Sequence, residues 1–214
     1  MKVFFTIAIL LLATSAAADV IFGAGGREFS QEDWVVTGDA EIMRDAILFP
    51  TRWTTAGSNG AATVASLGVA EGIVVDVLYG GWTSSRSLEI VDDTGTTRIY
   101  MWMVSPGTVR ATAFGIVVGD IPYNYGDRLR VSVFAPTSTA IGYQWRARVE
   151  NLTVGESAEY SEPGESGDPF VGPITVRVRC GYGVGGSVEQ VAVLGDGVVP
   201  IDDTTWGALK AIFR

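Results

Sequence analysis

Apolar and polar side chains alternate along most of the chain between Val20 and Leu194. Within the segment Gly142 to Thr153, aromatic or aliphatic residues at 143, 145, 147 and 149 alternate with polar or charged residues at 144, 146, 148 and 150. Successive side chains of a β-strand point to opposite faces, so this period of two is typical of a strand with one buried and one solvated face. The pattern therefore predicts antiparallel sheets.

About eleven segments of this kind are separated by Gly, Pro, Asp, Asn or Ser. The predicted strands are Trp34 to Thr37, Ala46 to Phe49, Ala61 to Leu67, Gly72 to Leu78, a hairpin over Leu88 to Val104, Ala111 to Val118, Arg128 to Ala135, Gly142 to Thr153, Ile174 to Cys180 and Val188 to Leu194. The hairpin is predicted by the turn sequence Asp92-Asp93-Thr94-Gly95. Because short turns and no helical segments join the strands, we expect an all-β protein, an antiparallel two-sheet β-sandwich of the jelly-roll type.

The first 18 residues have the order of a secretory signal peptide. Lys2 precedes an apolar run from Val3 to Leu12, and small residues follow up to Ala18. The apolar run is shorter than the roughly 20 residues that span a bilayer. We therefore expect cleavage, no membrane span in the mature chain, and a location outside the cell or at its surface, most simply in a bacterium.

The remaining chain divides into a β-sandwich domain over residues 19–197 and a C-terminal tail over residues 198–214. In the tail, Trp206, Leu209 and Phe213 are spaced to share one stripe of a short helix. A helix of this length needs tertiary packing to persist, so its stripe should dock on the sandwich or on a partner.

Composition excludes several classes of function. The chain has no histidine and one cysteine, so it has no Ser-His-Asp triad, no histidine metal ligand, no internal disulfide and no cysteine zinc site. Cys180 is in phase with apolar residues of its predicted strand and should be a buried structural thiol. After cleavage, 14 basic and 24 acidic residues give a net charge of −10. We therefore expect no nucleic-acid partner.

Six of the arginines form three Arg-x-Arg pairs on polar strand faces: Arg128 and Arg130, Arg146 and Arg148, and Arg177 and Arg179. If the three strands are neighbours in one sheet, six guanidinium groups share a surface that could bind carboxylates or sulfates of an acidic glycan. The alternative is that cross-strand acids such as Glu89, Glu150 and Glu189 neutralise them.

An acidic segment follows, with carboxylates at Glu156, Glu159, Glu162, Glu165 and Asp168. In an extended polyproline-II-like chain, this spacing of three would align them on one edge and could attract calcium. The alternative is an exposed, self-repelling loop, and no EF-hand ligand pattern is present. Calcium is thus the one cofactor that the sequence leaves open.

Four aromatic residues and one acid occur in turn-like contexts and are candidates for sugar binding: Trp53, Trp82, Tyr123, Tyr125 and Asp127. An aromatic ring beside polar groups can contact the apolar face of a sugar. Isolated aromatic residues are also common on surfaces without a binding role. Trp145, by contrast, is in phase with its strand's apolar face and should belong to the core.

The segments Trp34 to Ile42, Ile47 to Phe49, Tyr143 to Leu152 and Val188 to Gly195 resemble strands of secreted jelly-roll modules. These are the concanavalin-like and galactose-binding-like carbohydrate-binding modules. The resemblance implies a sandwich over about Ile21 to Gly197 with glycan binding as its role, but no ligand motif carries individual binding residues across.

The leading hypothesis is a secreted, non-catalytic protein that binds a polysaccharide or cell-surface polymer. A second is a structural protein of a cell envelope, filament or virion surface that self-associates through sheet edges. A third is a jelly-roll glycoside hydrolase or polysaccharide lyase, which would need two carboxylates, or a Tyr and Arg pair, in one cleft.

Overall fold

The described part of the chain folds into fifteen β-strands. The structure is a computed structural model that describes residues 20–23, 26–50, 59–64, 72–79, 87–134, 145–161, 170, 173–180 and 185–194. The strands are β1 (Val20–Gly23), β2 (Trp34–Thr37), β3 (Glu41–Ile42), β4 (Ile47–Phe49), β5 (Asn59–Thr63), β6 (Gly72–Tyr79), β7 (Leu88–Val91), β8 (Thr97–Ser105), β9 (Thr108–Ala113), β10 (Ile116–Pro122), β11 (Asp127–Phe134), β12 (Arg146–Asn151), β13 (Glu156–Ser161), β14 (Thr175–Cys180) and β15 (Gly186–Leu194).

The strands form two antiparallel sheets. The eight-stranded sheet has the order β13-β12-β11-β6-β15-β4-β3, and β1 pairs with β15 as well. The seven-stranded sheet has the order β10-β9-β8-β7-β14-β5-β2. Inward-facing side chains of both sheets form one continuous hydrophobic core, so the alternation correctly predicts a two-sheet β-sandwich.

Buried aromatic residues anchor the core at two places. Phe22, Phe29 and Trp34 pack together with ring centroids 5.5–5.8 Å apart. Trp145 is 1% exposed and packs against Phe114 at 5.1 Å, which confirms its predicted place in the core. The buried ring edges and faces of such clusters contribute both apolar burial and directional contacts.

The predicted hairpin is confirmed, and its turn is held by one carboxylate. Asp92 Oδ1 accepts hydrogen bonds from Thr94 N at 3.0 Å and Thr96 N at 3.2 Å, and Oδ2 accepts one from Arg98 Nε. Burial raises the pKa of Asp92, but the hydrogen bonds from Thr94, Arg98 and Thr96 and the Arg98 charge outweigh it and leave the pKa lowered.

The strand predicted over Ala111 to Val118 is wrong, because a two-residue turn at Phe114-Gly115 divides it into the hairpin of β9 and β10. Both turn residues have positive φ, 48° and 81°, as hairpin turns of the type I′ class require. Phenylalanine is an unusual residue there. Its partly buried ring packs on Trp145 and, at 5.2 Å, on Phe170, and these contacts favour phenylalanine at this turn.

The acidic segment is also corrected over the part that the structure describes. Residues 156–161 form β13 and pair with β12 along its length. Ala158 and Tyr160 pack toward the core, so in a strand of period two Glu156 and Glu159 lie on opposite faces, not along one edge. Glu162, Glu165 and Asp168 lie outside the described residues. Strands β1 and β3 were not predicted either.

The two sheets approach each other closely where β10 faces β13. A Cβ on Gly119 of β10 would lie 2.3 Å from the Ala158 Cβ of β13, so only glycine fits at this position. The register of β10 against β9 shifts between Val117 and Gly119, which is the mark of a β-bulge. A bulge locally bends the strand that contains it.

Several predictions fall outside the described residues. These are the signal peptide at residues 1–18, the helix in the tail at residues 198–214, Trp53, Trp82 and the side chain of Cys180. The domain limits at 19–197 remain predictions. Within the described ranges, the structure contains no helix whose length and apolarity would let it cross a membrane.

Candidate ligand-binding faces

The three Arg-x-Arg pairs do not share one surface. Strands β11 and β12 are neighbours in the eight-stranded sheet, so four of the arginines lie on its outer face. Strand β14 belongs to the seven-stranded sheet, where it pairs with β5 and β7. Arg177 and Arg179 therefore point away from the other four, on the opposite side of the sandwich. Strand order depends on pairing between distant segments, and the local alternation of side chains does not specify which segments pair.

A row of polar side chains crosses the outer face of the eight-stranded sheet. In the register, Glu150 of β12 is opposite Arg130, Arg130 is opposite Asp76 of β6, and Asp76 is opposite Gln190 of β15. Arg130 Nε and Nη2 donate to Asp76 Oδ1 and Oδ2 at 2.7 and 2.6 Å, which is a bidentate ion pair. The hydrogen bonds with Asp76 raise the pKa of Arg130.

This row borders a depression of about 500 Å³, which we call the polar depression. Its lining residues are Asp45, Ala46, Asp76, Arg128, Arg130, Leu152, Glu189 and Gln190. Arg128 Nε lies 2.7 Å from Glu189 Oε2, so a second ion pair lies beside the first. Both arginines belong to the candidate residues that the sequence analysis selected.

A β-bulge in β15 places two consecutive side chains in the polar depression. The register of β15 against β6 shifts between Val188 and Gln190, and Glu189 is the extra residue. Consecutive residues of a regular strand point to opposite faces, whereas the extra residue of a bulge breaks this alternation. The sequence predicts Glu189 only as a cross-strand acid that neutralises an arginine, and its ion pair with Arg128 agrees with that alternative. Gln190 was not among the candidate residues. The signal for the bulge is the interval of two polar residues between Val188 and Val191, both of which are buried.

Further polar groups extend the same face toward β13. Arg148 Nη2 lies 2.8 Å from Glu150 Oε1 and donates to Ser157 Oγ at 3.1 Å. Ser132 of β11 is opposite Arg148 in the register. The buried Oγ of Ser132 and Nε of Arg148 have no hydrogen-bond partner among the residues that the structure describes, so this part of the face retains unused hydrogen-bonding capacity. Arg146, the remaining arginine of β12, is partly buried.

The outer face of the seven-stranded sheet carries an aromatic pair that the sequence analysis also missed. The rings of Tyr100 and Trp102 on β8 are stacked, with centroids 4.9 Å apart and an interplanar angle of 23°. Stacking covers one face of each ring. The Arg110 guanidinium lies 5.8 Å from the Trp102 ring centroid. The available signal was the alternation of aromatic and aliphatic residues from Ile99 to Met103, within a continuous apolar run.

Asp120 of β10 holds Arg110 in place. Arg110 Nε and Nη2 donate to Asp120 Oδ1 and Oδ2 at 2.6 and 2.8 Å. These hydrogen bonds lower the pKa of Asp120 and raise that of Arg110. These contacts hold Tyr100, Trp102 and Arg110 in place, and one face of each ring is covered by the other ring. The group is therefore a weaker candidate for glycan binding than the polar depression.

The candidates in the turn before β11 have different environments. Tyr123 is 4% exposed and its hydroxyl donates to Met103 Sδ at 3.3 Å. Tyr125 is 66% exposed and its ring packs edge-on against Tyr123 at 6.3 Å. Asp127 is buried and accepts hydrogen bonds from Asn124 N and Asn151 Nδ2 at 2.8 and 2.7 Å. Of these three residues, Tyr125 has the side chain that an external ligand could contact.

Metal ligands do not cluster in the described ranges. A calcium ion takes six to eight oxygen ligands at about 2.3–2.6 Å. Among the residues that the structure describes, no three Asp, Glu, His or Cys side chains come close enough to hold a metal ion. The described residues therefore do not fit a calcium site.

The sandwich is similar to solved lectin structures. Lectin UEA-II in complex with galactose matches with a TM-score of 0.53 at 9% sequence identity, over 86% of this chain and all of that one (100%). The Emp47p carbohydrate recognition domain matches with a TM-score of 0.52 at 8% identity, over 82% of this chain and 95% of that chain. The exoplasmic/lumenal domain of VIP36, in its Ca²⁺/Man3GlcNAc-bound form, matches with a TM-score of 0.51 at 7% identity, over 87% of this chain and 91% of that chain.

Sequence comparison adds no closer relationship. No family model matches the chain, and no curated protein matches it significantly in sequence. Because the sequence identities with these lectins are below 10%, the similarity establishes the fold and does not identify a ligand. The protein therefore has the concanavalin-like jelly-roll β-sandwich fold, which confirms the resemblance drawn from its strands.

Proposed function

We propose that the protein is a non-catalytic, secreted or cell-surface glycan-binding protein, and that the polar depression is its binding site. The observation that carries this proposal is the convergence of Asp76 with Arg130 and of Arg128 with Glu189 in one depression of about 500 Å³. Ligand pockets commonly have volumes of about 300–1,000 Å³, so this depression is large enough for a sugar unit of a polymer.

The chemistry of the lining suits a neutral, hydroxyl-rich ligand. Each sugar hydroxyl can donate and accept a hydrogen bond, carboxylates accept, guanidinium groups donate, and the Gln190 amide does both. Three carboxylates and two guanidinium groups line the depression, so its formal charge is close to balanced. Leu152 and Ala46 add apolar contact area for the C–H groups of a sugar ring.

The rigidity of these groups supports the same proposal. Asp76 and Arg130 lie on neighbouring central strands, β6 and β11, and their ion pair fixes both side chains before a ligand arrives. A preorganised site loses less conformational entropy on binding. The carboxylates of Asp76 and Glu189 are already paired with guanidinium groups. These two carboxylates are therefore better suited to positioning a ligand than to donating a proton to a leaving group.

The structural neighbours and the N-terminal segment support glycan binding outside the cell or at its surface. UEA-II binds galactose and VIP36 binds Man3GlcNAc in the matched structures, and the VIP36 domain is exoplasmic or lumenal. The first 18 residues have the features of a secretory leader. Tyr125 does not line the polar depression, and no step of the proposal uses it or a metal.

The test is retention of the mature protein on a panel of immobilised neutral polysaccharides. Arg128→Met and Asp45→Asn change exposed residues of the depression, so both variants should fold. We expect retention by at least one polysaccharide, with dissociation constants raised at least about tenfold by Arg128→Met, because a charged hydrogen bond contributes about 1.5–3 kcal/mol.

Arg44→Met is the matched control, because Arg44 is also exposed and pairs only with the exposed Glu28 among the described residues, at 2.7 Å. Its retention should equal that of the wild type. Absence of retention on every polysaccharide, or full retention of both Arg128→Met and Asp45→Asn, would contradict the proposed function.

A further inference from the structure

The outer face of the seven-stranded sheet contains a second depression, which we call the arginine trough. It has a volume of about 270 Å³ and lies over β5. Its lining residues are Val35, Thr37, Ala61, Ala62, Arg177, Val178 and Arg179. It is on the opposite side of the sandwich from the polar depression, because β14 and β11 belong to different sheets.

The sequence explains why a trough forms over this strand. In the register, Ala62 of β5 lies between Val35 of β2 and Arg177 of β14, and Gly60 lies between Thr37 and Arg179. A small residue at the middle strand and longer residues on both neighbours leave a groove along β5. The two arginines form one wall, since alternate residues of a strand point to the same face.

One acid of the neighbouring strand lies beside this wall, because Glu89 of β7 is opposite Arg177 in the register. Arg177 is exposed and makes no ion pair or side-chain hydrogen bond with any residue that the structure describes. Arg179 Nη2 lies 4.0 Å from Glu89 Oε2, at the limit of an ion pair, with 48% of its side chain exposed. By contrast, Arg98 and Arg110 on the same sheet are bonded to Asp92 and Asp120.

We propose that the arginine trough binds the anionic groups, carboxylate or sulfate, of an acidic polysaccharide. Guanidinium groups bind such oxyanions through two parallel hydrogen bonds, and two of them at adjacent outward positions can bind one or two anionic groups. The lining contains no carboxylate, whereas the polar depression contains three, so the two sites select different ligands. This inference goes beyond the proposed function and does not depend on it.

The volume of the trough limits what enters it. At about 270 Å³ it is smaller than a typical pocket for a complete organic ligand, which occupies about 300–1,000 Å³. It can take one anionic group and part of the ring that bears it. Val35, which is 52% exposed, and Ala62 supply apolar surface for that ring. The rest of the polymer would extend past the edge strand β2 into solvent.

The experiment measures binding of the full mature protein to dextran sulfate, to polygalacturonate and to unsulfated dextran of similar length. The first two probes distinguish sulfate from carboxylate as the anionic group, and the third is the uncharged control. We expect binding to at least one anionic polymer, weaker binding as the salt concentration rises, and no detectable contribution of the trough to binding of dextran.

Three variants locate the binding site. Arg177→Gln and Arg179→Gln should each weaken binding to the anionic polymer several-fold, and the double variant at least about tenfold. Arg44→Gln removes the same charge from an exposed position outside the trough and should leave binding within about twofold of the wild type. Far-ultraviolet circular dichroism and Tm confirm that the variants fold.

Equal losses of anionic-polymer binding for Arg44→Gln and Arg177→Gln, unchanged binding of the anionic polymers by the double variant, or an equal loss of dextran binding in the double variant would overturn the inference. So would loss of self-association, and not of polymer binding, in the double variant, because the occupant would then be an acidic surface of a second copy. Arg128→Met should keep its binding to the anionic polymer, so failure of the polar depression and failure of the trough are separate results.

Discussion

The close approach of β10 to β13 makes Gly119→Ala a direct test of how the sheets pack. The added Cβ would lie 2.3 Å from the Ala158 Cβ, and ordinary carbon contacts are about 3.5–4.0 Å. The strands must therefore separate by about 1.2 Å or more at this point. The neighbour is a Cβ attached to the backbone of a paired strand, so it cannot rotate away.

We expect Gly119→Ala to lower the free energy of unfolding by about 1–3 kcal/mol, the usual cost of overpacking. In a domain of 150–250 residues each kcal/mol changes Tm by about 2–4 °C, so Tm should fall by about 2–12 °C. Calorimetry or thermal circular dichroism of the mature protein measures this fall directly.

Ala158→Gly supplies the matched control. Alone it should cost about 0.5–1 kcal/mol, because glycine is less favourable than alanine within a strand. Combined with Gly119→Ala it removes the clashing methyl group, so the double variant should be more stable than the sum of the single losses by about 0.5–3 kcal/mol. Additive losses, or a Tm of Gly119→Ala within about 1 °C of the wild type, would refute the packing described for this edge.

Two further predictions concern carboxylates that stabilise a hairpin turn and a strand pair within one sheet. Because its folded-state pKa is lowered from 3.8, the Asp92 carboxylate stabilises the fold above that pH and loses this contribution as the pH falls through the folded-state value, so Tm should decline steeply in acid. Asp92→Asn should lower Tm at neutral pH and flatten this decline; an unchanged acid profile would contradict the role of Asp92. Asp76→Ala leaves Arg130 partly buried without its bidentate partner and should cost about 1–3 kcal/mol in denaturant unfolding. Asp76→Ala with Arg130→Met should recover part of this loss, and no recovery would show that Arg130 is stabilised by other groups.

Alternation was sufficient to predict most strands because one face of each is buried. Strand β2 and the hairpin of β7 and β8 have the predicted positions, and in-phase residues such as Val176 and Val149 are buried. The strands that were not predicted lack a clear alternation of apolar and polar residues. Strand β3 has two residues, and β13 is exposed at four of its six positions. A short or mostly exposed strand gives little hydrophobic periodicity.

The candidate binding faces were predictable only in part. Alternation correctly placed Arg128 and Arg130 on one polar face of β11, because alternate residues of a strand point to the same face. Their partners Asp76 and Glu189 are more than 50 residues away in sequence for each pair, and such pairing depends on strand order. The bulge that turns Glu189 and Gln190 to the same side depends on the register between β15 and β6.

The placement of the Arg-x-Arg strands in different sheets has a mechanical consequence. The outer faces of the two sheets point in opposite directions, so one polymer segment cannot contact the polar depression and the arginine trough at once. A single copy occupied on both sides would join two separate polymer chains, one hydroxyl-rich and one acidic, without any need for dimerisation. If both proposed sites bind their ligands, the protein mixed with both polymers would act as a cross-link and raise the viscosity of the mixture above that of either polymer alone.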